Sequence, residues 1–244
     1  MKTLIIIPSR LAATRLPGKP LLKINGISLI SHVFKRAESA NIGEVIVATE
    51  DQEIIDDVKK NGGNAILTKK NHKTGTDRIH EAFNKLHRND INFVMNIQGD
   101  EPGIDINDIK NLDNMMKTNN SMIGTLAAKI SNDEIYKNKN IVKVKVKESF
   151  DINLFPYADN FMRITEDKEK IFHHLGIYSY KVEALNRFIS LDQSKNELEN
   201  NLEQLRALDN NIDINVSLAN SSPIGVDTKE DYLAIKKIME YKLK

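Results

Sequence analysis

The stretch IIIPSRLAATRLPGKPL, residues 5–21, joins an apolar run to a loop that holds three cations, Arg10, Arg15 and Lys19. The apolar run is typical of a buried strand. In an open parallel sheet, ligands bind at the carboxyl ends of the strands, which is where this loop begins. The sequence therefore predicts an anion site directly after the first strand, where the three cations could hold several phosphates.

This loop matches neither of two common phosphate-binding motifs. Gly18 and Lys19 are followed by Pro20, which breaks the G-x-x-x-x-G-K-[ST] pattern, and G-x-G-x-x-G does not occur. A P-loop kinase or a dinucleotide-binding fold is therefore disfavoured. Taken alone, the loop could also be a solvated basic turn.

Composition narrows the class of protein. The 244 residues suffice for one domain, which we expect to span 1–244, and the formal net charge is only +1. Neither nucleic acid nor an anionic membrane is favoured as a partner. The absence of cysteine excludes disulfides and a cysteine nucleophile, and Pro8 interrupts the first apolar run far below the length of a membrane helix. We expect a cytoplasmic protein.

The hydrophobic pattern predicts an α/β fold. Buried-looking strands occur in TLIIIP, EVIVAT, NAILT and NFVMNI, and helix-patterned segments cover 28–40, 51–60, 77–86 and 228–241. This alternation predicts a mostly parallel sheet flanked by helices.

The second half of the chain is less regular. IVKVKVK alternates like a half-exposed strand, HHLGIYSY and DINVSLA resemble strands, and ELENNLEQLRAL resembles one helix with leucines on a single face. These segments could form a small lobe, at about 125–215, inserted into the main sheet.

Two acidic residues lie at the ends of predicted elements, Asp100 after a strand and Asp227 before a helix. In NFVMNIQGDEP, Asp100 lies at the same sheet edge as the cationic loop and could supply half of a Mg²⁺ site. The alternative is that Asp100 caps the helix that begins near Asp105. In SSPIGVDTKEDY, Asp227 offers a second carboxylate, although Asp227 or Thr228 could equally cap the last helix.

Two further segments suggest polar chemistry. KTGTDR places Gly75 and Arg78 at the start of a helix, which suits a nucleotide, although Thr76 could be a plain cap. His173 and His174 are adjacent in a predicted strand, so that they point to opposite faces. With no third ligand nearby, a zinc site is disfavoured.

Taken together, these motifs resemble the 3-deoxy-manno-octulosonate (KDO) cytidylyltransferase family over nearly the whole chain. The segments that carry the resemblance are IIIPSRLAATRLPGKPL, GTDR, NIQGDEP, HHLGIYSY, LEQLRAL and GVDT. The resemblance implies a nucleotide-diphospho-sugar transferase fold of GT-A or Rossmann-like type, in which the lobe serves dimerisation and sugar binding. It also implies a homodimer, dependence on Mg²⁺, and formation of CMP-KDO and diphosphate from CTP and KDO for lipopolysaccharide biosynthesis.

The resemblance also assigns roles to residues. The triphosphate would be bound by Arg10, Arg15 and Lys19. The metal would be held by Asp100 and Asp227. These two acids and the three cations would be the catalytic residues. Around the nucleotide would lie Gly75, Arg78 and Gln98. The sugar pocket would be lined by His174, Tyr178, Glu203 and Gln204.

The chain departs from the family at one place. Where a Ser-Arg pair is usual, it has Pro156 and Tyr157, so that a cation expected to face the acid's carboxylate is missing. Arg163 or His173 could compensate, or the acceptor could be a modified or different ulosonic acid, such as 8-amino-KDO or a sialic-acid-like sugar. Two different hypotheses about the activity stay open, a GT-A glycosyltransferase, which would ordinarily carry Asp-x-Asp, and a nucleotide-binding module without catalysis.

Overall fold

The computed structural model describes residues 1–12, 15–222 and 224–241. Its strands are β1 (Thr3–Ser9), β2 (Lys23–Ile24), β3 (Ile27–Ser28), β4 (Gly43–Thr49), β5 (Ala65–Leu67), β6 (Phe93–Asn96), β7 (Ile123–Ala128), β8 (Lys143–Val146), β9 (Ala158–Met162), β10 (Ile171–Lys181) and β11 (Ile214–Leu218). Its α-helices are α1 (Leu29–Ser39), α2 (Gln52–Lys60), α3 (Gly75–Lys85), α4 (Ile106–Asn119), α5 (Glu134–Lys137), α6 (Val182–Ser190), α7 (Lys195–Asn200), α8 (Leu205–Asp209) and α9 (Lys229–Tyr241). A short 3₁₀ helix covers Lys19–Leu21.

The chain divides into two compact units. The amino-terminal unit comprises Lys2–Ile91, Met95–Ile109 and 223–244, and the middle unit comprises Met1, Asn92–Val94 and Lys110–Ser222. The prediction of a single domain with a lobe at about 125–215 stays a prediction.

The amino-terminal unit is built on a parallel arrangement of strands. Its strand order is β6-β1-β4-β5, with β4 parallel to both β1 and β5. The apolar run of β1 is fully buried from Leu4 to Ile7, as expected for a strand covered on both faces. Helix α1 begins where the Ser28 hydroxyl accepts a hydrogen bond from the Ser31 N–H.

The middle unit mixes strand directions. Its strand order is β11-β7-β10, in which β11 is parallel to β7 and β10 is antiparallel to it. β8 pairs antiparallel with both β10 and β9. These antiparallel pairs account for the irregular pattern of the second half of the sequence.

The predicted α/β class, with a mostly parallel sheet flanked by helices, is confirmed. The four predicted helices all form, with α3 beginning two residues earlier than expected and the others within one residue of the expected bounds. Within the described ranges, no helix has the length and apolar character needed to cross a bilayer.

Two details of the second half were predicted wrongly. The segment ELENNLEQLRAL is not one helix, because Asn201 adopts a left-handed conformation with φ 51° that ends α7 before α8 begins. The strand IVKVKVK is not half-exposed at its first lysine. Lys143 is fully buried, and its ammonium donates to the carbonyl oxygens of Asn138, Ile141 and Arg163.

Candidate functional site

The cationic loop after β1 is anchored in the amino-terminal unit at both ends. The Leu11 N–H donates to the Asp51 carboxylate at 2.7 Å, and the Gly18 N–H donates to the Leu11 carbonyl at 3.2 Å. Gly18 has φ 71°, a left-handed conformation that glycine adopts without strain. The chain then enters the short 3₁₀ helix at Lys19, so the side chain of Lys19 begins from a fixed backbone position.

Lys19 joins two carboxylates that are far from it in the sequence. Its Nζ lies 2.7 Å from Asp100 Oδ2, 3.3 Å from Asp227 Oδ1 and 2.6 Å from the Val226 carbonyl oxygen. The guanidinium of Arg15 lies 2.9 Å from Asp227 Oδ2. Three of the predicted catalytic residues, Lys19, Asp100 and Asp227, therefore converge around one ammonium group, with Arg15 beside them.

The capping alternative for Asp100 does not hold. The residue before α4 that accepts a helix N–H is Asp105, whose Oδ1 lies 2.8 Å from the Asn107 nitrogen. Asp100 is instead held through its backbone, because its carbonyl accepts a hydrogen bond from the Val226 N–H at 2.9 Å. Its carboxylate is left to face Lys19.

The capping alternative for Asp227 is resolved in the same way. The Thr228 hydroxyl accepts a hydrogen bond from the Asp231 N–H, and the Asp231 carboxylate accepts hydrogen bonds from the N–H groups of Asp227 and Thr228. Thr228 thus caps α9. The side chain of Asp227 points to Lys19 and Arg15 instead.

Gly99 allows the strand that carries Asp100 to approach β1. A Cβ at position 99 would lie 3.0 Å from the Pro8 carbonyl oxygen and 3.1 Å from Ile30 Cδ1. A larger residue would push the backbone outward and move Asp100 with it. The glycine of the QGDEP motif is therefore a packing requirement for the position of the carboxylate.

Glu101 is a buried acid beside this cluster. Burial raises the pKa of its carboxyl to about 8, and the negative charges of Asp100 and Asp227 act in the same direction. Its Oε2 has no hydrogen-bond partner in the part of the chain that the structure describes. Sequence reasoning did not single out this residue.

The start of α3 differs from the expectation. The helix is capped by Thr74, whose hydroxyl accepts from the Asp77 N–H while the Asp77 carboxylate accepts from the Thr74 N–H. Thr76, the predicted cap, is instead buried inside the first turn. Gly75 lies against β1, since a Cβ there would be 3.7 Å from Pro8 Cγ.

Arg78 is committed to a buried ion pair. Its guanidinium lies 2.5 Å from Glu50 Oε2 and 2.6 Å from Thr68 Oγ1, and it also bonds to the Lys69 carbonyl at 3.3 Å. Only 4% of its side chain is exposed. Arg78 therefore forms the wall of the site, with most of its donors occupied by protein.

One cavity of ≈ 370 Å³ brings the predicted nucleotide and metal residues together in the amino-terminal unit. The predicted residues that line it are Arg10, Arg15, Lys19, Gly75, Arg78, Gln98, Asp100 and Asp227. Their roles in binding and catalysis stay predictions.

The same cavity is lined by His72, which sequence reasoning missed. Its Nε2 is hydrogen-bonded to Glu81 on α3. A histidine nine residues before an acid in a charged loop is a weak signal. A stronger signal was the position of His72 just before the GTDR motif.

The predicted sugar residues lie in the middle unit. His174 is buried, its Nε2 lies 3.0 Å from Thr125 Oγ1, and its ring centroid is 5.4 Å from that of Tyr178. Burial lowers the pKa of His174 to about 3 and raises the pKa of Tyr178, which the nearby charge of Glu203 raises further. His174, Tyr178 and Glu203 therefore form one buried polar cluster, and Gln204 follows at the start of α8.

The two residues proposed to replace the missing cation are occupied elsewhere. Arg163 donates to the carbonyl oxygens of Asn200 and Asn201, each at 2.8 Å, and to that of Lys139 at 3.1 Å. His173 Nδ1 is 2.8 Å from the Ser222 hydroxyl, and burial lowers the pKa of the ring. Both side chains are therefore already engaged with groups of the protein.

Comparison with known proteins identifies first the class of fold and then the family of this chain. A solved structure of UDP-glucose pyrophosphorylase complexed with UDP-glucose superposes with a TM-score of 0.72, and the match covers 99% of this chain and 100% of that chain. At 11% sequence identity, this is a likeness of fold alone. The fold is thus that of the nucleotide-sugar nucleotidyltransferases. The family model described as cytidylyltransferase matches residues 4–214.

Individual relatives agree. The 3-deoxy-manno-octulosonate cytidylyltransferases of Nitrobacter winogradskyi and Thermodesulfovibrio yellowstonii are each 42% identical over 98% of this chain, and cover 94% and 98% of their own lengths. A solved CMP:2-keto-3-deoxy-manno-octonic acid synthetase complexed with CTP has a TM-score of 0.88 at 33% identity, covering 99% of this chain and 100% of its own. The chain belongs to the cytidylyltransferase family, and both the resemblance inferred from the motifs and the predicted class of enzyme, a nucleotidyltransferase, are confirmed.

Proposed function

We propose that this protein activates KDO, forming CMP-KDO and diphosphate from CTP and KDO. The observation that carries the proposal is the convergence of Lys19, Asp100 and Asp227 in one cavity of a chain that belongs to the cytidylyltransferase family. The relatives named as KDO cytidylyltransferases and the synthetase solved with CTP support both substrates.

The carboxylates of Asp100 and Asp227 fit a divalent cation. Both approach the Lys19 ammonium, and this convergence supports a shared cation between them. The described residues hold no cluster of three or more side chains suited to a metal. Two carboxylates completed by phosphate oxygens and water are what Mg²⁺ ordinarily takes, so we assign Asp100 and Asp227 as its protein ligands.

The transfer requires the anomeric hydroxyl of the acid to attack the α-phosphorus of CTP. The new bond is oxygen to α-phosphorus, the bond from α-phosphorus to the bridging oxygen breaks, diphosphate leaves, and the hydroxyl proton passes to solvent. Bound Mg²⁺ would supply charge neutralisation at the phosphates and would favour ionisation of the hydroxyl. Lys19 and Arg15 would neutralise the departing diphosphate, and Arg10 would hold the triphosphate tail.

The family resemblance assigns the acceptor to the polar cluster of the middle unit. Tyr178 and Glu203 would orient its hydroxyl groups, since both present oxygen atoms to a buried cluster. Arg163 and His173, the two residues expected to replace the arginine usual near position 157, are engaged with other groups: Arg163 donates to three carbonyl oxygens and His173 is hydrogen-bonded to the Ser222 hydroxyl. This observation favours, as a second candidate, activation of a modified or different ulosonic acid by the same chemistry.

One assay tests both candidates. Release of diphosphate is measured with CTP and Mg²⁺ in the presence of KDO, 8-amino-KDO or neuraminate. KDO is expected to support turnover, and exclusive use of another acid would transfer the proposal to that acid. Binding of CTP without turnover on any of the three would leave only a nucleotide-binding module. The homodimer and the cytoplasmic location stay predictions, which light scattering and cell fractionation test.

A further inference from the structure

His72 occupies the wall of the nucleotide cavity in a fixed orientation. It lies on the loop that runs from β5 to α3, and only 14% of its side chain is exposed. Its Nε2 is hydrogen-bonded to Glu81 Oε2. No group in the described part of the chain is bonded to its Nδ1, and this nitrogen is therefore available to a ligand in the cavity.

Glu81 is held as firmly as the histidine that it orients. Its carboxylate accepts the Lys69 N–H at 3.0 Å and the Lys85 ammonium at 2.8 Å. Burial acts to raise its pKa, but these hydrogen bonds and the one from His72 outweigh burial and leave the pKa at about 2. An ionised carboxylate can only accept hydrogen bonds, so Nε2 of His72 carries the proton in this pair.

The position of the loop indicates which part of a nucleotide it reaches. Asp100 follows β6, whereas the loop that carries His72 follows β5, and the strand order of this unit is β6-β1-β4-β5. The acids and the histidine therefore approach the cavity from opposite sides of β1. Under the proposed function, on which this step rests, Lys19 and the two acids hold the triphosphate end.

Two of the cavity residues on the loop side are paired with carboxylates of the protein. Arg78 is paired with Glu50 and His72 with Glu81, both in the interior of the unit. Such pairs offer hydrogen bonds but little net positive charge. Lys73 also lines the cavity and is the residue on this loop that would suit a phosphate.

We propose that His72 is a nucleoside-binding residue, that its Nδ1 hydrogen-bonds to the base or ribose of the bound nucleotide, and that Glu81 is the positioning residue that aims it. The sequence signal is the histidine three residues before Gly75. The proposal concerns ground-state nucleotide binding and does not depend on which acid is activated.

Calorimetric titrations with CTP, CMP and tripolyphosphate test the proposal without any acceptor. His72→Ala is expected to lower the affinity for CTP and for CMP alike, by roughly 3- to 10-fold, which is what the loss of one hydrogen bond corresponds to. Tripolyphosphate binding should not change. Glu81→Gln should weaken CTP and CMP by a smaller factor, because Nε2 loses its charged partner. The matched control is His80→Ala, a histidine on α3 outside the cavity lining.

A second measurement uses the unmodified protein. Nitrogen-15 spectra of the histidine rings should show the Nδ1 resonance of His72 shifting when CMP is added, while that of His80 does not. A resonance that stays in place overturns the proposal, as does an unchanged affinity of a folded His72→Ala. If His72→Ala instead weakens the binding of CTP and tripolyphosphate but not that of CMP, His72 contacts a phosphate, and the nucleoside assignment is overturned. A wild-type protein that binds no CTP would instead overturn the proposed function itself.

Discussion

The ammonium of Lys19 and the carboxylate of Asp100, which are 81 positions apart in the chain, lie 2.7 Å from each other. Only 13% of the Lys19 side chain and 31% of the Asp100 side chain are exposed. Water screens such a pair less than it screens a surface salt bridge. Removal of either charge should therefore change the free energy with which the other residue binds a ligand. This coupling makes the two residues the most informative positions to change.

Lys19→Ala is expected to lower kcat more than it weakens CTP binding. The charge on the departing diphosphate grows in the transition state, so a cation that meets it contributes there more than in the ground state. We expect a loss on the order of 10²-fold in kcat. Steady-state kinetics combined with calorimetric titration of CTP separates the two effects.

The control for this variant is Lys23→Ala, which removes a lysine from the surface of the same unit. It should leave both parameters unchanged. An unaltered kcat with a raised KM in Lys19→Ala would restrict Lys19 to ground-state binding.

Asp100→Asn should abolish metal-dependent turnover while the fold is retained. The substitution keeps the size of the side chain but removes the charge that would hold Mg²⁺, a loss of several kcal/mol that corresponds to a rate lower on the order of 10³-fold. Mn²⁺ binding, followed by electron paramagnetic resonance, should weaken in parallel. Circular dichroism checks the fold, and Asp192→Asn, at an exposed acid of the middle unit, serves as the control. Ordinary Mg²⁺ dependence in Asp100→Asn would remove this residue from the mechanism.

Tyr157→Arg should restore the cation that the family ordinarily has at this position. Tyr157 is 44% exposed, which leaves room for the longer side chain, although the Lys147 ammonium lies 5.9 Å from the tyrosine ring centroid and would oppose a second positive charge. A charge-assisted hydrogen bond to the carboxylate would lower the KM for KDO on the order of 10-fold. The KM for CTP should not change. Tyr157→Gln, which adds polarity without charge, should show no such gain, and an equal effect of both variants would argue against a carboxylate contact.

Arg206→Met should destabilise the protein by about 3–5 kcal/mol, because it leaves a buried carboxylate without its partner. The guanidinium of Arg206 makes two hydrogen bonds to Glu197, at 2.7 Å and 2.5 Å, and each side chain is only 4% exposed. Urea denaturation measures the change. The double variant Glu197→Met/Arg206→Met should recover much of the loss, and a double variant as unstable as the single one would show that packing of Arg206 over Phe188, rather than charge, is responsible.

Acid should destabilise the amino-terminal unit through Glu81. The pKa of its carboxyl is about 2 in the folded protein, against an ordinary value of 4.5. The ionised carboxylate and its hydrogen bonds therefore contribute stability that is complete above about pH 4.5 and is lost as the pH falls towards 2. The contribution is on the order of 1–3 kcal/mol. Thermal unfolding followed between pH 2 and pH 6 should show a weaker pH dependence in Glu81→Gln than in the wild type. Parallel curves would assign the acid sensitivity to other carboxylates.

The strands and helices of the amino-terminal unit could be predicted because each carries a local signal. The apolar run of β1 and the serine before α1 reflect burial and capping that neighbouring residues determine. The approach of Asp100 to Lys19 was predictable for a different reason, whereas the position of Asp227, just before α9, was not determined by it. Loops that follow parallel strands meet at one edge of a sheet whatever their separation in the chain.

Other features depended on partners that the sequence does not place. Lys143 looks exposed in an alternating pattern, because a lysine is rarely buried, and only the three carbonyl oxygens around its ammonium reverse that expectation. Arg78 lines the cavity, but its ion pair with Glu50, 28 residues away, was not indicated by the sequence. His72 could be noticed by its position before the GTDR motif, but its hydrogen bond to Glu81 on the following helix could not be predicted from the sequence.

The break at Asn201 has a consequence for the evolution of this chain. Arg163 holds the carbonyl groups of Asn200 and Asn201 on one side of the Glu203–Gln204 dipeptide, and the Arg206–Glu197 pair holds the other. Both sets of contacts involve residues outside the dipeptide itself. If Glu203 and Gln204 contact the acceptor as proposed, exchanging their side chains would alter acceptor preference while these hydrogen bonds of the flanking backbone and side chains stay in place.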